Sequence, residues 1–432
     1  MKPYVKYIAI VLMGALLINI SYFTFRHESL LLVGQFAGLF ALYLFFAYRR
    51  KDFSLKELIA FGILLRLFLL ILTPNLSEDV YRFLWDGKLW WEGIDAYTFL
   101  PSELIKENVL NPELLAKLNS PNYYSIYPPL NQFIFLMAGV FENVMSGIIT
   151  IRIFVILAEI GTLVLLPKVL VQFQKDPKLS ILYAFNPLVI LELAGNLHFE
   201  AFVIFFLIWA IYEFEKGNQN RSSLATGLAI GFKLVPLILL ASFFKKLSLK
   251  RYLKFIVIAV LVAAVSFIPF MFSDALEGIL TSTSLYFQSF EFNASIYYLI
   301  REVGYEVKGY NIIATSGPLM GVLSFSAMVI FNLTVSSKMK LPERMLWTYL
   351  IYFLFATTVH PWYVLPILIL GILSGYWFPV AWTFLVFCTY WGYTPLVYKE
   401  DLLIILFEYI LLIIFIVLEV VRKLKNRKRI YA

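Results

Sequence analysis

The richest group of ionisable residues in the sequence is Glu78-Asp79-Val80-Tyr81-Arg82-Phe83-Leu84-Trp85-Asp86-Gly87. Read as a helix, it puts Asp79, Arg82 and Asp86 on one face, at i, i+3 and i+7, with Val80, Phe83, Leu84 and Trp91 on another. A carboxylate beside a guanidinium stays ionised, as a general base that takes a proton from a hydroxyl must be. The same spacing also suits an anchoring helix with a solvated face. Lys233 lies inside an apolar run, where a lone ammonium is costly and is usually kept for a partner. Snorkelling to the interface, or pairing with Glu200, would account for it equally. His198, close to Glu200, and His360, followed by Trp362-Tyr363, are imidazoles in apolar settings. Each reads either as a hydrogen-bonded structural residue or as a ligand contact.

The elements that must carry these residues are membrane spans. Of 432 residues 61% are hydrophobic and 15% charged, and the mean hydropathy is +0.81. That composition excludes a soluble enzyme, a disordered tail and a disulfide scaffold; the one cysteine, Cys388, has no partner in the chain. The net charge of +8 comes from short basic clusters between apolar blocks, which orient helices and do not indicate nucleic-acid binding. The apolar blocks predict an all-α integral membrane protein, a polytopic bundle of about 12 to 14 transmembrane helices in a single multi-span domain, 1–432. Arg49-Arg50-Lys51, Lys245-Lys246 and the basic tail after Val421 read as cytoplasmic, with both termini inside and the protein in the plasma membrane. Residues 75–125 then form a first large outer loop, whose catalytic helix lies in the interface with its apolar side down, and 273–311 a second. Pro236, just after Lys233, allows the 224–244 block to be a broken or re-entrant pair of half-helices. Arg152 and Glu159 share a helix face and read as helix-to-helix glue. Trp85, Trp90, Trp91, Tyr123, Tyr124 and the 286–293 stretch suit an interfacial aromatic belt or the lining of a groove.

Ser77 to Gly87, followed by Gly93-Ile94-Asp95-Ala96-Tyr97, resembles the first outer loop of GT-C fold glycosyltransferases, especially bacterial polyprenyl-phosphate-mannose-dependent mannosyltransferases. Further segments are similar to that family, in its order: Tyr127-Pro128-Pro129, Asn186-Pro187, Gly195-Asn196-Leu197-His198-Phe199-Glu200, Lys233-Leu234-Val235-Pro236 and His360-Pro361-Trp362-Tyr363. The resemblance covers roughly Ser77 to Tyr363. It implies a GT-C-like bundle whose outer loop carries short interfacial helices. It also implies a hexosyltransferase that moves a sugar, mannose foremost, from a polyprenyl-phosphate donor to an acceptor hydroxyl on the outer face, with inversion. Asp79 stands at the position of that family's presumed base, and Glu78-Asp79 replaces the usual Asp-Asp. Asp95-Ala96-Tyr97 lacks the proline of the usual Asn-Pro-Tyr.

Displacing a phosphate from an anomeric carbon needs a base on the acceptor side and positive charge around the departing oxygens. Asp79, with Glu78, is the catalytic candidate. Arg82, Asp86, His198, Glu200, Lys233, Arg301, His360 and Tyr363 are the substrate-binding candidates, with Lys233 foremost for phosphate. Such cations can neutralise a lipid monophosphate directly, so no obligatory cofactor or metal is expected, and no close His/Cys cluster suits zinc. The partners expected are the lipid-linked donor, a glycolipid or glycan acceptor and membrane lipids. Two other classes fit a polytopic chain. A transporter or lipid flippase would show internal repeats and midplane charges, and a surface-polysaccharide polymerase or ligase would show an Arg-rich outer loop.

Overall fold

A computed structural model of the chain describes residues 2–104, 112–270 and 275–431, so parts of both expected outer loops, 105–111 and 273–274, lie outside the described residues. The described residues are helical, without a sheet; Phe292–Thr358 and Tyr393–Tyr398 form isolated bridges. Helix is what hydrocarbon demands, since no water is there to satisfy backbone N–H and C=O groups.

Each apolar block carries helix, but only some blocks are continuous. Five helices among the described residues are long and apolar enough to cross a bilayer: Tyr4–Phe23, Ser29–Tyr48, Val144–Gln172, Ile313–Thr334 and Leu402–Lys425. A sixth span results if Pro177–Ala184 and Pro187–Gly195, bent by 56°, are taken together. The remaining blocks carry shorter helices, some of them interrupted by proline or an extended residue. The 224–244 block is one: an α-helix, Gln219–Phe232, ends at Lys233, which is extended (φ −156°, ψ 134°), and a 3₁₀ helix, Val235–Lys246, follows. The chain is a polytopic membrane protein.

The helix Asp79–Trp91 lacks the solvated face read from its sequence. Val80, Arg82, Phe83, Leu84, Trp85, Asp86, Gly87 and Leu89 are all buried, so it is enclosed on nearly every side and presents no solvated face. Close backbone approach makes this possible: a Cβ on Gly87 would stand 2.0 Å from the carbonyl oxygen of Phe135, and one on Gly139 2.3 Å from Gly87. The helix Pro129–Gly139 is thereby pressed against Asp79–Trp91. Gly87→Ala is expected to force the two helices apart and cost about 1–3 kcal/mol, read as a lower thermal midpoint in detergent; an unchanged midpoint would show that the helices part freely.

Buried charges tie the bundle together, Arg152 and Glu159 each to another segment. Glu159 binds Arg66, with Arg66 Nη2 2.6 Å from Glu159 Oε2, and also accepts from Tyr183 Oη. Arg152 instead donates to four carbonyls: Leu70 (2.9 Å), Leu72 (2.6 Å), Ala194 (2.7 Å) and Gly195 (3.1 Å). It thus satisfies the orphan carbonyls where two helices end inside the bundle.

Basic residues collect at one end. Arg50 pairs with Asp176, Lys178 donates to the Lys51 carbonyl, Lys245 and Lys246 donate to the carbonyls of Val335 and Ser337, and Lys423 to that of Ser374. Arg26 and Glu78 pair near the opposite end of the helix Ser29–Tyr48, a separation of about 30 Å for 20 residues.

Candidate functional site

Three helix breaks converge on one cavity, and each is written locally in the sequence. Pro187, Pro236 and Pro361 all stand in the first turn of the helix they begin, where a missing N–H costs nothing. At the first break the Asn186 side chain accepts from the N–H groups of Leu188 and Val189. A π-helix, Ile190–Gly195, follows. Leu197 then adopts φ +67°, left-handed and strained for a non-glycine residue. This turn presents His198 and places Glu200 in the first turn of Glu200–Glu215, where a carboxylate suits the helix dipole. At the second break Lys233 follows the C-terminus of Gln219–Phe232, the end that favours a cation. At the third, His360 precedes the short helix Pro361–Val364.

The cavity has a volume of about 290 Å³. Seven of the catalytic and substrate-binding candidates line it: Asp79, Arg82, His198, Glu200, Lys233, His360 and Tyr363. Asp79 Oδ1 accepts from Asn119 Nδ2 at 2.8 Å, and its Oδ2 lies 4.0 Å from His198 Nδ1. Lys233 pairs with Glu200 and sits 3.8 Å from the centroid of the Tyr363 ring, a cation–π contact. Trp362 is stacked between two imidazoles, His198 at 3.6 Å and His360 at 4.5 Å.

Arg82 is held rigidly. Its Nε donates to Asp86 Oδ1 at 2.7 Å, and Nη1 to the carbonyls of Ser120 and Tyr123 at 3.1 and 2.8 Å. Its Nη2 is buried with no hydrogen-bond partner among the described residues, which leaves its two N–H groups for a ligand. Asp86 does not line the cavity; it also accepts from Ser125 Oγ (2.5 Å) and Gln132 Nε2 (2.9 Å), and so positions Arg82 from behind. Glu78 is outside the cavity and paired with Arg26. Arg301 is outside it too, bound to Glu291 and Glu302.

The aromatic candidates divide likewise. Tyr123, Tyr124 and Phe290 line the cavity; Trp85 is buried elsewhere, and Trp90 donates to Gln132 and Trp91 to the Leu136 carbonyl. Side chains of 285–288 lie outside the described residues. Asp95-Ala96-Tyr97 forms a turn without the proline, because Asp95 Oδ1 accepts from Tyr97 N at 2.8 Å, and Tyr97 Oη reaches the Tyr127 carbonyl. Sequence reasoning missed Asn119 and Asn131. For Asn131 a signal existed, an amide inside an apolar block; for Asn119 there was none. Among the described residues no group of His, Cys, Asp and Glu is arranged to hold a metal ion.

A larger hollow, about 530 Å³, lies between the last helix and Leu341–Phe355. Its lining is mostly apolar, with Glu343 and Lys423 as its ionisable residues. The smaller cavity, where carboxylates, cations and aromatic rings converge, is the chemically equipped one. A family model described as alpha-(1->6)-mannopyranosyltransferase, N-terminal domain, matches residues 6–247. No curated protein matches the chain.

Proposed function

We propose, from the premise that this chain belongs to the alpha-(1->6)-mannopyranosyltransferase family, that this membrane mannosyltransferase draws its mannose from a polyprenyl monophosphate and uses Asp79 as general base. The acceptor hydroxyl oxygen attacks the anomeric carbon as the carbon–oxygen bond to phosphate breaks. The bonding pair leaves on the phosphate, and the hydroxyl proton passes to Asp79. Attack opposite the leaving group inverts the centre, so an α product requires a β-linked donor. Lys233 and the free Nη2 of Arg82 offset the charge that develops on the departing phosphate. The observation that carries this reading is the shared cavity: Asp79, Arg82 and Lys233 line the same 290 Å³ space, an acid–base group and two cations with no third requirement.

The basic end, opposite the Arg26–Glu78 end, is cytoplasmic in this proposal. That sets the cavity toward the outer face of the plasma membrane, with both termini inside. A donor held in the membrane by its own lipid can reach an outward cavity. Family membership favours transfer over transport, flipping or polymerisation.

Purified protein in lipid nanodiscs, supplied with a glycolipid acceptor, tests the donor. Label is expected to move from radiolabelled mannosyl polyprenyl monophosphate and not from nucleotide-linked mannose. Transfer from the nucleotide donor alone would overturn the proposal.

A further inference from the structure

Asn131 stands in the first turn of the helix Pro129–Gly139 and is 2% exposed. Its Nδ2 donates to the carbonyl of Phe232 at 3.0 Å. A carbonyl can only accept, so this bond fixes which way the amide is turned. The other end, Oδ1, is buried and receives no hydrogen bond among the described residues. Such orphaned acceptors are rare in folded proteins and call for an explanation. Asn131 lines the cavity, and its anchor, Phe232, directly precedes Lys233, which lines it too.

The amide oxygen can be satisfied only by a donor. Of the donor's parts, an ionised phosphate offers acceptors and a prenyl chain offers neither, so the hydroxyl groups of its sugar are the ones that can donate; an acceptor hydroxyl is the alternative, and the deoxy donors of the test separate the two. We infer that Asn131 Oδ1 accepts a hydrogen bond from one hydroxyl of the donor mannose and makes the site selective for that hydroxyl. The inference rests on the donor reading above. A buried acceptor tied in place from behind cannot turn to find another partner. A sugar lacking the hydroxyl therefore leaves it unpaired, and sites built this way reject such analogues strongly.

The test uses mannosyl polyprenyl monophosphate and its 2-, 3-, 4- and 6-deoxy analogues, with wild-type protein and Asn131→Ala. In the wild type one deoxy donor is expected to lose about 100-fold in kcat/KM. In Asn131→Ala that donor and the parent are expected to agree within about twofold, whatever common loss follows from freeing the Phe232 carbonyl. Asn131→Leu, close in size, replaces the alanine variant if that does not fold. The analogue with fluorine at the same position, which accepts but cannot donate, is expected to be rejected like the deoxy sugar. An undiminished penalty in the variant, or a wild type indifferent to every deoxy donor, overturns the inference while leaving the donor reading intact. A wild type that fails to use the parent donor overturns both.

Discussion

Asp79→Asn is expected to fold, to bind the lipid donor with unchanged affinity, and to transfer mannose about 10³-fold more slowly than the wild type, the scale of a lost general base. The substitution is nearly isosteric. The amide oxygen can still accept from Asn119 Nδ2, the bond Asp79 Oδ1 makes, so the loop beside the helix N-terminus keeps its place. What disappears is the basic oxygen 4.0 Å from His198 Nδ1. The neighbouring residue supplies the control. Glu78 is paired with Arg26, away from the cavity, and Glu78→Gln is expected to stay within about threefold of wild type. Single-turnover rates with saturating donor separate chemistry from product release. Equal rates for wild type and Asp79→Asn would remove Asp79 from the reaction, and a larger loss for Glu78→Gln would move the base one residue upstream.

Much of this site was legible because its residues announce themselves locally. Asn186-Pro187, Lys233 with Pro236 and His360-Pro361 are polar residues followed by a proline inside apolar blocks. A proline there ends one helix and begins another, and a broken helix at membrane depth must put its polar residues toward protein or a cavity. The breaks could therefore be anticipated, and so could the gathering of His198, Lys233 and His360 around one space. The carboxylate and guanidinium of Asp79 and Arg82 were legible from helical spacing.

What stayed hidden depends on contacts between segments distant in sequence. The i, i+4 relation of Arg82 and Asp86 is visible, but which of them meets ligand is settled by Ser125 and Gln132, which enclose Asp86 from a later segment. The solvated face read for Asp79–Trp91 is absent for a similar reason. Its amphipathic pattern is real, but the side that would have met water is covered by a later segment: Ser120 and Tyr123 accept from Arg82, and Ser125 and Gln132 donate to Asp86. Arg301 carries the right charge for phosphate, yet Glu291, ten residues earlier, takes its Nη1 at 2.8 Å. Arg152 and Glu159 share a face, but each is satisfied by another segment. Charge type is written in the sequence; the partner that uses up the charge is not.

Lys233→Met bears on the same distinction, because Lys233 has a protein partner and a cavity in reach at once. The ammonium pairs with Glu200 and lies over Tyr363; the Glu200 side chain is 5% exposed and that of Lys233 27%. Removing the cation strands a buried carboxylate, so the single variant is expected to lose stability, in the range of about 3–5 kcal/mol for breaking a buried pair. It is also expected to bind the lipid monophosphate about 30-fold more weakly, the equivalent of one charge-assisted hydrogen bond. The double variant Lys233→Met/Glu200→Gln separates these effects. With the carboxylate neutralised, the thermal midpoint is expected to return most of the way to wild type while donor affinity stays low, because the phosphate has lost its cation either way. If donor affinity returns with the midpoint, Lys233 serves only to neutralise Glu200, and the phosphate must be met by Arg82 alone. Acceptor affinity, measured separately, is expected to be unchanged in both variants, since the charge at Lys233 acts on the departing group and the acceptor meets Asp79.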